Sequence, residues 1–303
     1  MKSAALDRFM ATDSNPRDVR RQRMVEALRH RAVGPQLMGI VNATDDSFFS
    51  GSRAQDTDAV QRALAMWDAG ATWVDIGGES TRPGAEPVSV EDELNRVVPV
   101  IEAIRTTGHT GLISIDTRRA AVAEAALTAG ADMVNDVSGL RDPAMREVVL
   151  RHGCAVCIMH MQGEPSSMQT NPHYEDVVEE VRASLLATAR ALVASGHPAS
   201  LILLDPGIGF GKTQQHNMRL LAEGHRISQD HTFGVLWGVS RKSIIGHLTG
   251  HARSEERLFG TLGIAAVAQH HGIDVLRVHD VEAHVDLLAC CTPFISPTTR
   301  PTG

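Results

Sequence analysis

Eight short apolar runs recur along this chain, and a polar or charged residue marks the end of each. They are Leu37 to Asn42, Thr72 to Gly77, Leu112 to Asp116, Asp132 to Asp136, Ala155 to His160, Leu201 to Asp205, Gly234 to Lys242 and Asp274 to His279. Runs this short, rich in Val and Ile and separated by segments with helical periodicity, are those of strands buried on both faces of a parallel sheet. Eight of them predict an α/β chain folded as a single closed (β/α)8 barrel of the TIM type. The polar residues Asn42, Asp75, Asp116, Asn135, His160, Asp205, Lys242 and the pair Arg277 and His279 then crowd one rim, the C-terminal face on which such barrels do chemistry.

The intervening segments carry helix signals. Asp56 to Ala69 ends before Gly70, Ser89 to Thr107 opens with Ser89 and Asp92 in capping-box spacing, and Arg119 to Ala129 stops at Gly130. Pro143 to His152, Tyr174 to Ser195, Gln214 to Ile227, Glu255 to His271 and Val281 to Ala289 continue the alternation. Right-handed crossovers make such a succession either a barrel or an open doubly wound sheet, and eight units favour the barrel.

The 303 residues fit one barrel, which typically takes about 250, with extensions. The barrel is placed at 36–291, an N-terminal extension at 1–35 and a flexible Pro- and Thr-rich tail at 292–303. Within the extension, Arg17 to His30 is expected to form a helix that plugs the barrel bottom or lies on the surface. The loops Ala43 to Gln55 and Gly78 to Pro87, rich in Gly, Ser and Pro, are the expected mobile lids. Only 4% of the residues are aromatic against 43% hydrophobic, so aliphatic side chains must fill the core.

A net charge of −7 argues against general affinity for nucleic acid or anionic membrane, so any basic site must be local. The polar start lacks the apolar core of a secretory signal and no stretch reaches the length of a membrane span, which leads us to expect a cytoplasmic protein. Cys154 and Cys157 form a C-x-x-C, but Cys157 falls inside a strand and no second pair completes a metal site, so core thiols are expected.

Arg277 and His279 lie two apart and share a strand face, pointing into the barrel mouth. Two such cations repel unless an anion lies between them; either an anionic substrate or a carboxylate such as Asp280 meets the need. Arg82, Arg241 and Lys242 add positive charge to the same rim, which favours an anionic substrate. Asp116, Asn135 and Asp205 end strands three, four and six. Carboxylates accept paired N–H groups and Asn both donates and accepts, so the set suits a flat heterocycle of the guanine or pterin kind. Capping of the following helices would explain either Asp alone but fits all three poorly. Gly207-Ile-Gly-Phe-Gly-Lys-Thr213 approaches a phosphate-binding loop, yet Pro206 stands where its first glycine belongs, which excludes an ATP site; Phe210 is left as an aromatic wall.

Taken in order, Met38-Gly-Ile-Val-Asn42, Asp75-Ile-Gly-Gly-Glu-Ser-Thr-Arg-Pro-Gly84, Ile115-Asp-Thr117, Asn135-Asp-Val137, Met159-His-Met-Gln-Gly163, Leu204-Asp-Pro-Gly-Ile-Gly-Phe-Gly-Lys212, Gly238-Val-Ser-Arg-Lys-Ser243 and Arg277-Val-His-Asp280 resemble the dihydropteroate synthase family of folate-pathway enzymes, the targets of sulfonamides. The resemblance implies condensation of 6-hydroxymethyl-7,8-dihydropterin pyrophosphate with p-aminobenzoate, small-molecule substrates, Mg²⁺ and a homodimer. It implies that Asp116, Asn135, Met159, Asp205, Phe210 and Lys242 hold the pterin, and that Asn42, Arg82, Arg277 and His279 take the pyrophosphate, with Asn42 also contacting Mg²⁺. Thr81, Pro83, Phe210, Lys242 and Ser243 would shape the p-aminobenzoate pocket.

The expected catalytic groups are Asp116, Arg82, Lys242, Arg277 and His279, serving an SN1-like departure of pyrophosphate. One departure stands out: the family usually has proline where this chain has Asp45 in Asn42-Ala-Thr-Asp-Asp-Ser-Phe48, which frees a backbone angle and adds negative charge near the expected pyrophosphate. Two rival expectations are a pterin-dependent methyltransferase, which has no pyrophosphate to bind, and a pterin-binding homologue that has lost turnover.

Overall fold

The computed structural model describes residues 22, 24, 26–28, 34–43, 52–80, 87–165, 167–228 and 231–294. Eight parallel strands close into a barrel in chain order. They are β1 (Gln36–Asn42), β2 (Trp73–Gly77), β3 (Leu112–Asp116), β4 (Met133–Asp136), β5 (Ala155–Met159), β6 (Ile202–Asp205), β7 (Gly234–Trp237) and β8 (Val275–Val278). Pairing of Gln36 with Val275 through Gly39 with Val278 shuts the seam between β1 and β8.

Around the described barrel run α1 (Ser52–Asp68), α2 (Val90–Thr106), α3 (Ala120–Ala129), α4 (Pro143–His152), α5 (Val177–Ala194), α6 (Gln214–Ala222), α7 (Ser243–Thr249), α8 (Leu258–His270) and α9 (Val281–Cys291). The Ser89 hydroxyl accepts from the Asp92 N–H at the start of α2, the expected cap.

Period-two alternation sorts every strand into two faces. Val74, Ile76, Ile113, Ile115, Val134, Val156, Ile158, Ile202 and Leu204 point outward into the core shared with the helices. Met38, Trp73, Leu112, Met133, Ala155, Cys157, Leu203, Leu236 and Val275 point inward and fill the lower barrel. Met24 and Leu28, on a helical stretch before β1, pack against that inner layer and plug the bottom. Among the described residues, this apolar layer fills the lower barrel and leaves the polar side chains at the other end.

Several boundaries differ from the sequence reading: α1 begins at Ser52, inside the loop expected to run to Gln55, and α5 begins at Val177, three residues after the expected Tyr174. The run expected to reach Lys242 as strand stops at Trp237, because the chain turns through Arg241 at φ +58° and then forms α7, a helix the apolar pattern hid. The segment expected as a helix from Gln214 to Ile227 ends at Ala222, and a 3-10 turn over Gly224–Arg226 follows. Gly224 lies there against the Trp237 ring, where a Cβ would come within 2.1 Å. The helix expected from Glu255 begins as the 3-10 turn Ser254–Arg257 and becomes α8 at Leu258. At the other end, Thr292–Phe294 adds a 3-10 turn to α9; the rest of the expected tail, 295–303, lies outside the described residues. Cys154 and Cys157 are free buried thiols, pushed up by burial to about 12 in the first case and well above the ordinary thiol value in the second.

Candidate active site

The same alternation that makes the lower barrel apolar turns Asp75, Asp116, Asn135, Asp205 and Arg277 inward at the top. Register sets their heights: Gly77 lies beside Asp116, Asp116 beside Asn135 and Met159 beside Asp205. Arg277 spans the mouth. Its Nε donates to Asp75 Oδ2 at 2.6 Å and its Nη2 to Asp116 Oδ2 at 2.6 Å. Asp75 is fully buried, and the same Oδ2 accepts from Asn135 Nδ2 at 3.0 Å.

Of the two ways to offset Arg277, the structure shows a carboxylate, though not Asp280, and it removes Arg241 from the free cations expected at the rim. The carboxylate partners of Arg277 are Asp75 and Asp116, while Asp280 binds Arg241 through two bonds, Nε to Oδ2 at 2.9 Å and Nη2 to Oδ1 at 2.5 Å. Arg241 therefore brings no unmatched charge to the rim, and Arg277, on the expected anion side, bonds Asp116 on the expected ring side.

Neither Asp116 nor Asp205 caps a helix. The residue before α3 is Arg119, with no side-chain cap, and the residue before α6 is Thr213, which caps it in a capping box with His216. Asp205 instead uses Oδ1 to accept the Gly207 N–H at 2.7 Å. Its Oδ2 lies close to groups from other elements: a methyl built on Gly238 would stand 3.7 Å from Asp205 Oδ2, 3.9 Å from Lys242 Nζ and 3.9 Å from Arg277 Cδ. Groups from β6, β8 and the loop after β7 thus converge around Gly238.

Charge at this mouth is poised. Burial raises Asp116 to about 7, against the pull of Arg277 and with the help of the nearby Asp75. Burial also raises Asp205, opposed by Lys242, and lowers Lys242 to about 8, opposed by Asp205. Both carboxylates therefore give up protons less readily than in water and gain most from ligand N–H groups.

One wall is apolar. Met159 packs with Val137, Met161 and Met168, and Phe210 lies against them. Lys242 Nζ stands 4.5 Å from the Phe210 ring centre and donates to the Ile208 carbonyl at 2.6 Å, so the cation is held over the aromatic face. The alternating glycines that resembled a phosphate loop have another cause. At Gly207, with φ +67°, a Cβ would stand 2.0 Å from the His160 carbonyl oxygen, and at Gly211, with φ +59°, 2.4 Å from that of Gln162.

The buried Lys212 ammonium fastens this loop to the one after β5, donating to the His160 and Phe210 carbonyls at 3.2 and 3.0 Å and meeting His160 Nδ1 at 3.1 Å. Gly207→Ala is expected to combine roughly 1–3 kcal/mol of backbone strain with steric overlap and to lower Tm by roughly 5–10 °C. Gly209→Ala, whose Cβ would meet only Lys242 Cδ at 3.6 Å, is expected to cost less; thermal unfolding of the pair makes the comparison.

At the rim, His279 Nδ1 pairs with Ser240 Oγ at 2.9 Å, and Asn42 stands exposed at the end of β1. Ser243 is exposed at the first position of α7, next to Lys242. Thr81, Arg82, Pro83 and Asp45 lie outside the described residues, as do most of the first loop and the centre of the second. The base of the second loop is described: Glu79 accepts from Arg118 and Arg119, which with the Val88 N–H hold its carboxyl below the ordinary value despite burial.

Three contributors gained no role in the sequence reading: Asp75, Lys212 and Ser240. Asp75 had a signal, a charge inside an otherwise apolar strand at an inward register. The other two act through backbone turns that sequence spacing does not reveal.

A family model described as pterin binding enzyme matches residues 38–279. The chain is 44% identical over 257 residues to the dihydropteroate synthase of Escherichia coli K12, covering 84% of this chain and 89% of that protein. This chain belongs to the dihydropteroate synthases. Among solved structures, the Yersinia pestis dihydropteroate synthase in a sulfonamide drug complex is 40% identical, with a TM-score of 0.80 over 86% of this chain and 94% of that one. The Burkholderia cenocepacia dihydropteroate synthase complexed with 7,8-dihydropteroate is 42% identical, with a TM-score of 0.77 over 86% and 91%. Membership in the dihydropteroate synthases accounts for the polar mouth on an apolar barrel.

Proposed function

We propose that this mouth condenses 6-hydroxymethyl-7,8-dihydropterin pyrophosphate with p-aminobenzoate: the C–O bond to pyrophosphate breaks, a C–N bond forms, and the aniline nitrogen sheds a proton to give 7,8-dihydropteroate. The observation that carries this reading is the convergence of Asp205, Lys242 and Arg277 around Gly238. Asp205, Asn135 and Asp116 supply acceptors for the N–H edge of the ring, while Met159 and Phe210 supply apolar walls. Arg277, with three of its five N–H groups unused among the described residues, His279 and Arg82 receive the departing diphosphate.

The cation left on the pterin methylene is delocalised into the ring and stabilised by Asp116 in its ionised form. The aniline is neutral near pH 7 and needs only placement, which Thr81, Pro83, Phe210, Lys242 and Ser243 provide. Asn42 fits the implied Mg²⁺: an exposed amide at the end of β1 offers the hard oxygen that Mg²⁺ takes beside phosphate oxygens. Bound there, the metal would neutralise charge on the leaving group.

The test is release of pyrophosphate from the two substrates with and without Mg²⁺. Stoichiometric pyrophosphate and dihydropteroate support the reading. Pterin binding without product would favour a non-catalytic homologue, and turnover with methyltetrahydrofolate instead would favour a methyltransferase.

Ionised Asp116 and cationic Lys242 set the pH dependence. As pH falls through about 7, Asp116 gains a proton and kcat/KM declines; as pH rises through about 8, Lys242 loses one and kcat/KM declines again. Asp116→Asn is expected to remove the acid limb and leave the basic limb, as a pH–rate profile will show.

The reading places the enzyme in the cytoplasm as a homodimer. No helix among the described residues is long and apolar enough to cross a membrane. Supporting the dimer, Phe259, Gly263 and Val267 form an exposed stripe along α8, and Leu248 on α7 is exposed as well. Sedimentation is expected to show a dimer that Phe259→Glu weakens.

A further inference from the structure

We propose that Asp75 is a positioning residue, fixing Arg277 and Asn135 from inside the barrel so that each presents the correct groups to ligand; this rests on the ligand roles proposed above for those two residues. Asp75 lies on β2, two strands from β8 on one side and two from β4 on the other, and its Oδ2 accepts from a side chain of each. It thus joins opposite sectors of the wall through a single buried atom.

For Arg277, a long side chain with many rotamers, the bond at Nε fixes the plane of the guanidinium. Nη2 then reaches Asp116, and Nη1 is left without an acceptor among the described residues. For Asn135 the consequence is directional. A carboxylate only accepts, so the amide must turn Nδ2 toward Asp75 and its carbonyl oxygen the other way. Asn135 therefore meets the ring as an acceptor, in keeping with the adjacent Asp205 and Asp116. The other oxygen, Asp75 Oδ1, is buried without a hydrogen-bond partner, and so is the hydroxyl of Ser114, whose Cα is its register partner on β3. Among the described residues, its side-chain hydrogen bonds go to the two side chains given ligand roles above.

Asp75→Asn tests the proposal, since it keeps the size and an acceptor for Arg277 but removes the charge and lets the Asn135 amide invert. At least a tenfold loss of kcat/KM is expected, and a smaller one overturns the proposal. A merely structural role would also fail in two further readouts. In the double variant Asp75→Asn with Arg277→Met, the further loss beyond Arg277→Met alone is expected to be clearly smaller than the loss Asp75→Asn causes in the wild type, because only the route through Asn135 remains; equal losses overturn the proposal.

The acid limb of the single variant is expected to move to lower pH. Asp116 faces Arg277, Asp75, Glu93 and Asp136, and of the acidic groups only Asp75 shares its cation. A limb that stays in place or rises overturns the proposal. Should the single variant fail to fold, the double variant removes both charges together and its comparison with Arg277→Met decides alone, a further loss of tenfold or more overturning the proposal. Wild-type turnover in the same assay is the control, because its absence would refute the proposed reaction and not the role of Asp75.

Discussion

Asp205→Ala is expected to abolish measurable pterin binding and to leave the barrel folded. Asp205 holds the Gly207 N–H with one oxygen and keeps the other near Gly238, where charge-assisted bonds to ring N–H groups form without water to compete. Each such bond contributes about 1.5–3 kcal/mol. Losing two weakens binding by roughly 10²- to 10⁴-fold.

The fold tolerates the change because the carboxyl lies at the barrel mouth, where its Oδ1 accepts the N–H of Gly207 in the adjoining turn. Burial holds its pKa above the ordinary 3.8, so the folded state binds the proton more tightly and any stabilisation from this group is lost as pH rises past that value. Calorimetry with pterin, alongside thermal unfolding, reads both halves. Near wild-type affinity would mean that the ring lies elsewhere.

Arg277→Ala separates the two parts of the substrate. The variant removes the common cation of Asp75 and Asp116, and breaking a buried pair in this way costs about 3–5 kcal/mol. Apart from that cost to the fold, losing two charge-assisted bonds to the diphosphate, at about 1.5–3 kcal/mol each, is expected to lower affinity for the pterin pyrophosphate roughly 10²- to 10⁴-fold. Bare pterin is expected to lose about tenfold, through the disturbed Asp75 and Asn135 alone. Equal losses for the two ligands would overturn the anion assignment. The variant also carries a signed pH prediction: without the pull of Arg277, Asp116 titrates above about 7, so the residual activity loses its acid limb at higher pH than wild type.

The barrel was legible because strands buried on both faces must be apolar throughout, which leaves each polar residue near a strand end conspicuous. That rule found Asp116, Asn135, Asp205 and Arg277 and placed them on one rim. It could not find their partners. Arg277 pairs with residues 202 and 161 positions away, and its link to Asp75 follows from closing the barrel between β8 and β1, which no local pattern encodes. Helix α7 was lost for a different reason: Gly234 to Lys242 keeps an apolar character through Val239, although Arg241 in the left-handed region and Lys242 before the helix end the strand's geometry well before the hydrophobicity stops. The spaced glycines after β6 were legible only by exclusion: Pro206 ruled out a phosphate loop, but what the glycines are for shows only in the fold. A glycine needed for close approach to a carbonyl looks the same in sequence as one needed for a phosphate.

Carbon–oxygen cleavage ahead of nucleophilic attack is the step that the barrel mouth serves, with acceptors for the ring and donors for the leaving diphosphate. Positional isotope exchange tests it: pterin pyrophosphate labelled with ¹⁸O in the bridge to the methylene is incubated with enzyme and Mg²⁺ but no p-aminobenzoate, then recovered. Migration of the label into non-bridging positions is the predicted result. Label that stays entirely in the bridge, in enzyme that turns over once p-aminobenzoate is added, would contradict a departing diphosphate held opposite a stabilised cation.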